Sequence, residues 1–549
     1  MRIVQCVVAA DNRCLRRPVR CRAAACLLAV LVLLPGAALT SRAELPQVTV
    51  VHVNDTHGYI DASTVPGTGV HTGGIARLAT LVDRERANAA AVLVLHAGDA
   101  FTGAPCFTVF AGEAQARLLN AVGLDAMCLG NHEFDRGVAT LARFADLLQA
   151  PLLSCNLDLG SAPELAGRVL PCVVVRKGGV PIGVIGVTTP LTSKISREGR
   201  SLRFTDPAIA VQQAVDDLRR HAVACVIVLS HLGLEQDMAL AAQVAGIDLI
   251  VGGHSHTLLG ATGVAAVAGD RPYPVRVTGP HGRLVPIVQA WQRCWAAGVA
   301  RLQIAADGRA IFAGGRPHLL LAAAVPGGGA DARIAPQPDV AAVVSGYRHE
   351  VDRRMGIGIA RAAQDLPHAW RQGQGSRAAP LVARAVLWYL RSLGLAPDLA
   401  LLNAGNVRTG LSAGTITLGQ VFAMLPFENT VVVTDMRGQD IRRELRTALD
   451  RAGRSTGMAG ARPYVAGLCR RAGSWRLTTA RGELVPLLDN ATYRVAMTSY
   501  LAGGGDGYVG CAAAARQGDD TGFTLTDAFI AYARAHTPLR AVADACVDP

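Results

Sequence analysis

Side chains that can bind metal ions directly follow five short apolar runs in the first half of the chain. They occur as Asn54-Asp55-Thr56-His57, His96-Ala97-Gly98-Asp99, Gly130-Asn131-His132-Glu133-Phe134-Asp135, Ser230-His231 and Gly252-Gly253-His254-Ser255-His256. Carboxylate, amide and imidazole groups bind hard and borderline divalent ions. Each residue alone fits an ordinary role, such as a helix N-cap for an aspartate or a turn for a glycine. Five separate ordinary roles are a poor explanation for five such groups, so the sequence predicts one site.

The apolar runs before these groups are typical of buried strands that alternate with amphipathic helices. The predicted strands cover residues 48–53, 91–95, 126–129, 152–154, 182–187, 223–229 and 249–251. The predicted helices cover residues 75–88, 112–122, 138–149, 207–221 and 234–245. This alternation predicts an α/β fold. Because ligands bind beyond the carboxyl ends of strands in such sheets, the five groups are expected to converge.

An Arg-rich stretch at the start of the chain precedes a short apolar run, residues 23–34, and then Ser41-Arg42-Ala43. This order is typical of a secretory signal that is cleaved after Ala43. The apolar run is also short for a membrane span. We therefore predict a signal peptide over residues 1–43 and a periplasmic or secreted mature chain without stable membrane insertion. An uncleaved anchor is the alternative.

The remaining chain divides into two predicted domains. The strand and helix pattern of the first domain, residues 46–320, fades near residue 310 and gives way to a segment rich in Ala, Gly and Pro. That composition predicts a linker over residues 321–339, followed by a second domain over residues 340–549. Removal of residues 1–43 lowers the formal net charge from +12 to +6. No basic stripe remains, so we expect a small anionic substrate and no nucleic acid. A monomer is also expected.

The motifs of the first domain resemble the signature of the calcineurin-like metallophosphoesterases. The similarity covers residues 48–257, in the order Asp-x-His, Gly-Asp, Gly-Asn-His-Glu-x-Asp, His and Gly-His-x-His. The second domain resembles the C-terminal half of the 5′-nucleotidases through Asn403-Ala404-Gly405-Asn406-Val407-Arg408, Leu425-Pro426-Phe427-Glu428-Asn429 and the run 500–508. The resemblance implies an N-terminal β-sandwich flanked by helices (αββα) and a C-terminal α/β substrate-binding domain.

The resemblance also implies two divalent metal ions, with zinc, manganese and iron as candidates. Asp99 is expected to bridge the two ions, as a two-metal site requires a shared carboxylate. The other ligands implied are Asp55, His57 and His256 for one ion and Asn131, His231 and His254 for the second. His132 is expected to stabilise charge on the phosphoryl group or leaving group, and Asp135 to accept a hydrogen bond from its ring. The expected reaction is phosphoester hydrolysis by a hydroxide that the ions activate.

The second domain is expected to recognise a nucleotide. By resemblance, Arg408 binds phosphate, Phe427 and Tyr500 enclose the base, and Asn429 and Asp506 bind the ribose hydroxyls. Arg371 and Arg377 are candidates for further phosphate contacts. Taken alone, Phe427 and Tyr500 also fit ordinary core aromatics.

The leading functional hypothesis is therefore an exported 5′-nucleotidase that hydrolyses nucleoside 5′-monophosphates. Nucleoside di- and triphosphates and UDP-sugars are further candidate substrates. The alternatives are a 2′,3′-cyclic-nucleotide phosphodiesterase with 3′-nucleotidase activity, a thiosulfohydrolase of sulfur oxidation and, least favoured, a nucleotide-binding protein without activity.

Overall fold

The structure is a computed structural model that describes residues 7–9, 45–195, 202–325, 333–368, 375–427, 429–454, 460–479, 482–516 and 518–544. Most of the predicted signal peptide therefore lies outside the described residues. Val7–Ala9 is described as a short strand that runs parallel to Cys172–Lys177. None of the described helices combines the length and apolar character that crossing a membrane requires.

The first domain contains two seven-stranded sheets. In order across the first sheet, the strands are Ala310–Leu319, Ala296–Ile304, Gln47–Val53, Val92–His96, Ala126–Cys128, Leu152–Leu153 and Val169–Leu170. In order across the second sheet, they are Val7–Ala9, Cys172–Lys177, Val180–Thr188, Cys225–His231, Leu249–Gly252, Leu284–Val288 and Val275–Thr278. The predicted strands agree with these within about two residues at each end, the usual uncertainty of a strand or helix boundary.

The two sheets pack face to face, with helices on both outer sides. Val48 and Val50 point into the space between the sheets, whereas Val51 and Val53 of the same strand point outward, as a two-residue period requires. The first sheet is covered by Ile75–Asn88, Pro105–Phe110, Glu113–Val122 and Val138–Leu147. The second sheet is covered by Pro207–Arg220 and Leu234–Gln243. The predicted αββα sandwich is confirmed.

The five strands that precede the metal-ligand motifs all end at the same edge of the sandwich. Three of them, Gln47–Val53, Val92–His96 and Ala126–Cys128, run parallel in the first sheet. The other two, Cys225–His231 and Leu249–Gly252, run parallel in the second sheet. The site is therefore built from both sheets.

The segment between the two domains packs against the first domain. Leu321 and Ile334 are buried and joined by a backbone hydrogen bond of 2.9 Å. The helix Pro338–Met355 buries Val340 and Val344 against the helices of the first domain. Its Tyr347 ring lies 4.8 Å from the ring of Phe110. We therefore propose that the domain boundary lies near residue 357, beyond this helix.

The second domain has a five-stranded sheet with helices on both faces. The strands are, in order, Pro463–Ala466, Leu399–Asn403, Thr492–Thr498, Thr430–Arg437 and Asp519–Thr524. One face packs on Ala378–Ser392, Leu418–Met424 and Leu525–Ala535. The other packs on Gly438–Arg454, Ser499–Ala502, Val509–Ala515 and a three-stranded sheet formed by Leu468–Arg471, Ser474–Thr478 and Leu484–Pro486. The predicted C-terminal α/β domain is confirmed.

Gly298 provides a test of the packing beneath the site. It pairs with His52, and a Cβ atom on Gly298 would lie 2.0 Å from His52 Nε2. His52 is buried and its Nε2 lies 2.8 Å from the Tyr273 hydroxyl, so its ring has little room to move. We expect Gly298→Ala to lower the free energy of unfolding by about 1–3 kcal/mol in denaturant titration.

Gly346→Ala is the matched control. Gly346 lies within the helix Pro338–Met355, and no atom lies within 4 Å of a Cβ placed on it. We expect Gly346→Ala to stabilise the protein by about 0.5–1 kcal/mol, because alanine has the higher helix propensity. Equal stability changes in the two variants would contradict the described packing at Gly298.

Candidate active site

Five of the seven predicted metal ligands have left-handed backbone conformations. The φ angles are 50° for Asp55, 49° for His57, 58° for Asp99, 72° for His254 and 51° for His256. Such angles are uncommon for residues other than glycine and cost about 1–3 kcal/mol each. The chain turns sharply at the ends of the strands and holds these side chains over the sheet edge.

The first ligand group contains Asp55, His57 and His256. The Nε2 atoms of the two histidines are 2.9 Å apart. Asp55 Oδ1 lies 3.3 Å from His256 Nε2 and 3.9 Å from His57 Nε2. Three ligand atoms of these types within such distances can share one cation.

The second ligand group contains Asp99, His231 and His254, whose ligand atoms lie within 4.8 Å of one another. Asp99 Oδ2 is 3.0 Å from His231 Nε2. Asp99 also belongs to a group with His57 and His132, so it lies between the two sets of ligands. Asn131 Oδ1 is buried and has no hydrogen-bond partner among the described residues. A buried acceptor of this kind fits a metal ligand.

Hydrogen bonds from the backbone orient two of the imidazoles. His57 Nδ1 lies 3.2 Å from the Phe101 carbonyl oxygen, and His231 Nδ1 lies 2.7 Å from the Ala97 carbonyl oxygen. Because only a protonated Nδ1 can donate to a carbonyl, the Nε2 atom of each ring is left to face the site. This arrangement is typical of histidines that bind metal ions.

The site also controls the protonation of its histidines. Burial and the neighbouring His256 lower the pKa of His57 to about 3, and burial and His231 lower the pKa of His254 to about 4. Both rings are therefore neutral near pH 7, as metal ligands must be. Burial acts in the same direction on His231, but Asp99 and Asp55 outweigh it and raise the pKa of that ring to about 9. The two buried carboxylates thus form a negative centre that favours cations.

His132 and Asp135 form the predicted dyad. His132 Nδ1 lies 2.6 Å from Asp135 Oδ2, and Thr102 donates its hydroxyl to the same oxygen at 2.5 Å. The backbone N–H of His132 donates to Asp99 Oδ1 at 2.9 Å, which ties the dyad to the metal-ligand groups. Burial opposes a charge on His132, but Asp135 and Asp99 outweigh it and raise its pKa to about 10. In the absence of bound metal ions, the ring is therefore a cationic hydrogen-bond donor near neutral pH.

Glu133 is a structural residue of the site to which the sequence analysis assigned no role. Its fully buried carboxylate accepts backbone hydrogen bonds from Asp99 at 2.9 Å, Ala100 at 2.7 Å, Phe101 at 3.2 Å and Gly130 at 2.7 Å. One side chain thereby fixes the loops that carry Asp99 and Asn131. Its position inside the Gly-Asn-His-Glu motif was the available signal.

Both domains line the cleft above the metal-ligand groups. This cavity has a volume of about 350 Å³ and is bounded by Asp99, Asn131, His132, His254 and His256 from the first domain and by Thr430, Asp520 and Gly522 from the second. Gly522 lies against the dyad, because a Cβ on it would be 2.4 Å from His132 Cε1. No sequence motif pointed to the three residues of the second domain.

The predicted substrate residues cluster in the second domain. The Arg408 guanidinium lies 5.5 Å from the centre of the Phe427 ring. Phe427 is 42% exposed and Tyr500 is 43% exposed, and among the described residues no ring contact joins them. Asn429 donates to Asn406, and Tyr500 donates its hydroxyl to Asp506. The two aromatic rings are thus surface groups available to a ligand, which differs from a core role.

The structure bears differently on the two further candidate arginines. Arg371 lies outside the described residues, as does Glu428 beside the predicted base pocket. Arg377 lies at the N-terminal end of the helix Ala378–Ser392 with an exposed side chain. The phosphate contact of Arg371 therefore stays a prediction.

Two protein families match the two halves of the chain. The calcineurin-like phosphoesterase family matches residues 48–258, and the 5′-nucleotidase C-terminal domain family matches residues 357–513. A probable 5′-nucleotidase of Treponema pallidum is 31% identical over 568 aligned positions, and the match covers 93% of this chain and 95% of that protein.

Solved structures agree over nearly the whole chain. The crystal structure of a 5′-nucleotidase precursor from Thermus thermophilus has 34% identity and a TM-score of 0.60, covering 91% of this chain and 99% of that one. The NAD nucleotidase of Haemophilus influenzae has 26% identity and a TM-score of 0.80, covering 91% of this chain and 98% of that one. The protein thus belongs to the 5′-nucleotidase family of calcineurin-like phosphoesterases and is a metal-dependent phosphoester hydrolase.

Proposed function

We propose that this enzyme hydrolyses nucleoside 5′-monophosphates to a nucleoside and inorganic phosphate. The observation that carries the proposal is the single cleft in which the metal-ligand groups around Asp99 face residues of the second domain. The family membership and the curated relative from Treponema pallidum, a probable 5′-nucleotidase, support the same substrate class.

We further propose that two divalent ions are bound, with zinc, manganese and iron as candidates. Asp55, His57 and His256 would hold one ion, Asn131, His231 and His254 the other, and Asp99 would contact both. The convergence of the aspartate and histidine ligand atoms and the buried Asn131 oxygen support this assignment. When bound, two such ions neutralise phosphoryl charge and lower the pKa of a water molecule toward neutrality.

The dyad supplies a positioned cationic donor. With its pKa raised to about 10, the His132 ring can donate a hydrogen bond to a phosphoryl oxygen or to the leaving oxygen. Asp135 holds the ring through Nδ1, so the proton on Nε2 is the one available to the substrate. Thr102 in turn holds Asp135.

The second domain would orient the nucleotide. Arg408 suits a phosphate because its guanidinium is planar and permanently charged. Phe427 and Tyr500 would stack on the base, Asp506 would accept hydrogen bonds from the ribose hydroxyls, and Asn429 would also hydrogen-bond the ribose. Thr430, which follows Asn429 in the chain, lines the same cleft as the metal-ligand groups.

We propose that the enzyme acts as a monomer outside the cytoplasm after cleavage behind Ala43, in the periplasm or in the medium, and that it binds no nucleic acid. The Arg-rich stretch and apolar run at the start of the sequence support export. Mass spectrometry of the N-terminus after expression in a bacterial host tests the cleavage site.

A hydrolysis screen of the purified mature chain tests the substrate class, with the products separated by chromatography because a sulfur ester or a cyclic phosphodiester is cleaved without release of inorganic phosphate. The substrates are AMP, UDP-glucose, 2′,3′-cyclic AMP and a sulfur ester, each with Mn²⁺, Zn²⁺ or Co²⁺ added. We expect AMP to have the highest kcat/KM. A clear preference for 2′,3′-cyclic AMP or for the sulfur ester would replace the proposed function by the corresponding alternative.

Asp99→Asn tests the shared ligand. Because Asp99 lies between the two ligand groups, we expect the variant to lose both ions when its metal content is measured after dialysis. Losing a residue that only supports a metal ligand typically lowers metal affinity by about 10- to 100-fold. We expect the loss of Asp99 to lower it by at least as much. Asp146→Asn, which alters an exposed carboxylate paired with Arg168, is the matched control and should retain both ions. Normal metal content and activity in Asp99→Asn would remove Asp99 from the bridging position.

His132→Ala separates the dyad from metal binding. We expect metal content near that of the wild type and a kcat lowered by about 10²- to 10⁴-fold, the range for a lost positioned acid or donor. Asp135→Asn should have a smaller effect, and His71→Ala, which changes an exposed histidine, should have none. Loss of metal in His132→Ala would instead show that this ring is a ligand.

Phe427→Ala and Tyr500→Ala test nucleoside recognition. We expect kcat/KM for AMP to fall by about 5- to 150-fold, because base stacking contributes about 1–3 kcal/mol. Hydrolysis of p-nitrophenyl phosphate, which has no base, should change little. Leu488→Ala, at another exposed apolar residue of the same domain, is the control. Equal losses with both substrates would mark the two aromatic residues as structural.

A further inference from the structure

A continuous chain of hydrogen bonds joins the two residues proposed to bind the ribose. Asn429 donates to Asn406 Oδ1 at 2.5 Å, Asn406 donates to Asn403, and Asn403 donates to Asp506 Oδ2 at 2.7 Å. Asn403 and Asn406 are each only 2% exposed. Asp506 is therefore the final acceptor of a buried amide chain that begins at Asn429.

The second oxygen of Asp506 is held by Tyr500, one of the two aromatic residues proposed to stack on the base. The Tyr500 hydroxyl donates to Asp506 Oδ1 at 2.9 Å. The Tyr500 ring lies on the backbone of Gly505, where a Cβ would be 2.4 Å from the ring. Asp506 itself has a left-handed backbone, with φ of 53°. Burial and the adjacent carboxylate raise the pKa of Tyr500, so the hydroxyl remains a donor near neutral pH.

The number of acceptor sites left on Asp506 matches a cis-diol. An ionised carboxylate offers about four lone-pair sites, two on each oxygen. Tyr500 uses one site on Oδ1, and Asn403 uses one site on Oδ2. One site remains on each oxygen, and a ribose presents two adjacent hydroxyl donors.

We propose that the Tyr500 hydroxyl is a positioning group that, with Asn403, orients Asp506 to accept both ribose hydroxyls and thereby selects ribonucleotides over deoxyribonucleotides. This inference rests on the proposed nucleotidase function. It assigns to Tyr500 a role beyond stacking, because a phenylalanine at the same position would stack equally well but would leave Asp506 Oδ1 without its internal donor.

Tyr500→Phe, assayed with three substrates that differ only in their hydroxyl groups, tests the proposal. The substrates are AMP, 2′-deoxy-AMP and 2′,3′-dideoxy-AMP. For the wild type, we expect kcat/KM to fall in that order. In Tyr500→Phe, we expect kcat/KM for AMP to fall by about 5- to 20-fold, mainly through a higher KM. This effect is no larger than that of losing one hydrogen bond to a charged group. The loss should be smaller for 2′-deoxy-AMP and below about 2-fold for 2′,3′-dideoxy-AMP, which has no hydroxyl for Asp506 to accept.

Two further variants keep the result specific. Tyr493→Phe removes a hydroxyl from the same domain, where it accepts a hydrogen bond from the Leu488 backbone, and should leave the substrate ratios unchanged. In an Asp506→Ala background, Tyr500→Phe should cause no further loss of discrimination, because the group that it positions is absent.

The outcomes separate this inference from the proposed function. Equal loss of all three substrates in Tyr500→Phe, or a wild type that treats them alike, overturns the positioning role while AMP hydrolysis stands. Additive effects of Tyr500→Phe and Asp506→Ala overturn it as well. Hydrolysis of p-nitrophenyl phosphate without hydrolysis of any nucleotide overturns the proposed function, and the inference with it.

Discussion

The Asp99 carboxylate is the interaction on which the rest of the site depends. It is almost fully buried, lies 3.0 Å from His231 and accepts the backbone N–H of His132. A second buried carboxylate, Asp55, lies close enough for the charge on Asp99 to oppose its ionisation. Two carboxylates in one buried pocket are costly unless cationic partners are present. This requirement favours divalent cations at the site, which the surrounding imidazoles are placed to hold.

Holding that charge in place requires strain that the surrounding structure must offset. Five ligand residues adopt left-handed conformations at strand ends, each at a cost of about 1–3 kcal/mol. Glu133 counters this by accepting four backbone N–H groups from the loops after the second and third of these strands. The strands themselves are fixed by the packing of two sheets and their outer helices. The fold thus stabilises a ligand arrangement that isolated loops could not maintain.

The sequence predicted those parts that depend on local pattern. The helix Ile75–Asn88 has its predicted bounds, and the αββα arrangement and the convergence of the motif residues are confirmed. The strand Ala310–Leu319 was not predicted, because it contains Gly314, Gly315 and Pro317 and is specified by pairing with Ala296–Ile304 rather than by an apolar run. Similarly, Gly522 lies against His132 although about 390 residues separate them in the sequence, and no local signal marks that contact. Contacts between domains are tertiary information that a linear pattern does not contain.

The division of labour between the domains follows from these constraints. The ligand site needs rigid strand ends, whereas the proposed nucleoside site needs exposed aromatic rings and hydrogen-bonding groups. Phe427, Tyr500 and the amide chain to Asp506 have these properties. Binding energy gained at the base and ribose can position the phosphate over the ligand site without strengthening any contact to the ions. The helix Pro338–Met355 packs on the first domain, and its last residue, Met355, also packs against the core of the second. The two domains also meet directly at the cleft, where Gly522 lies against His132.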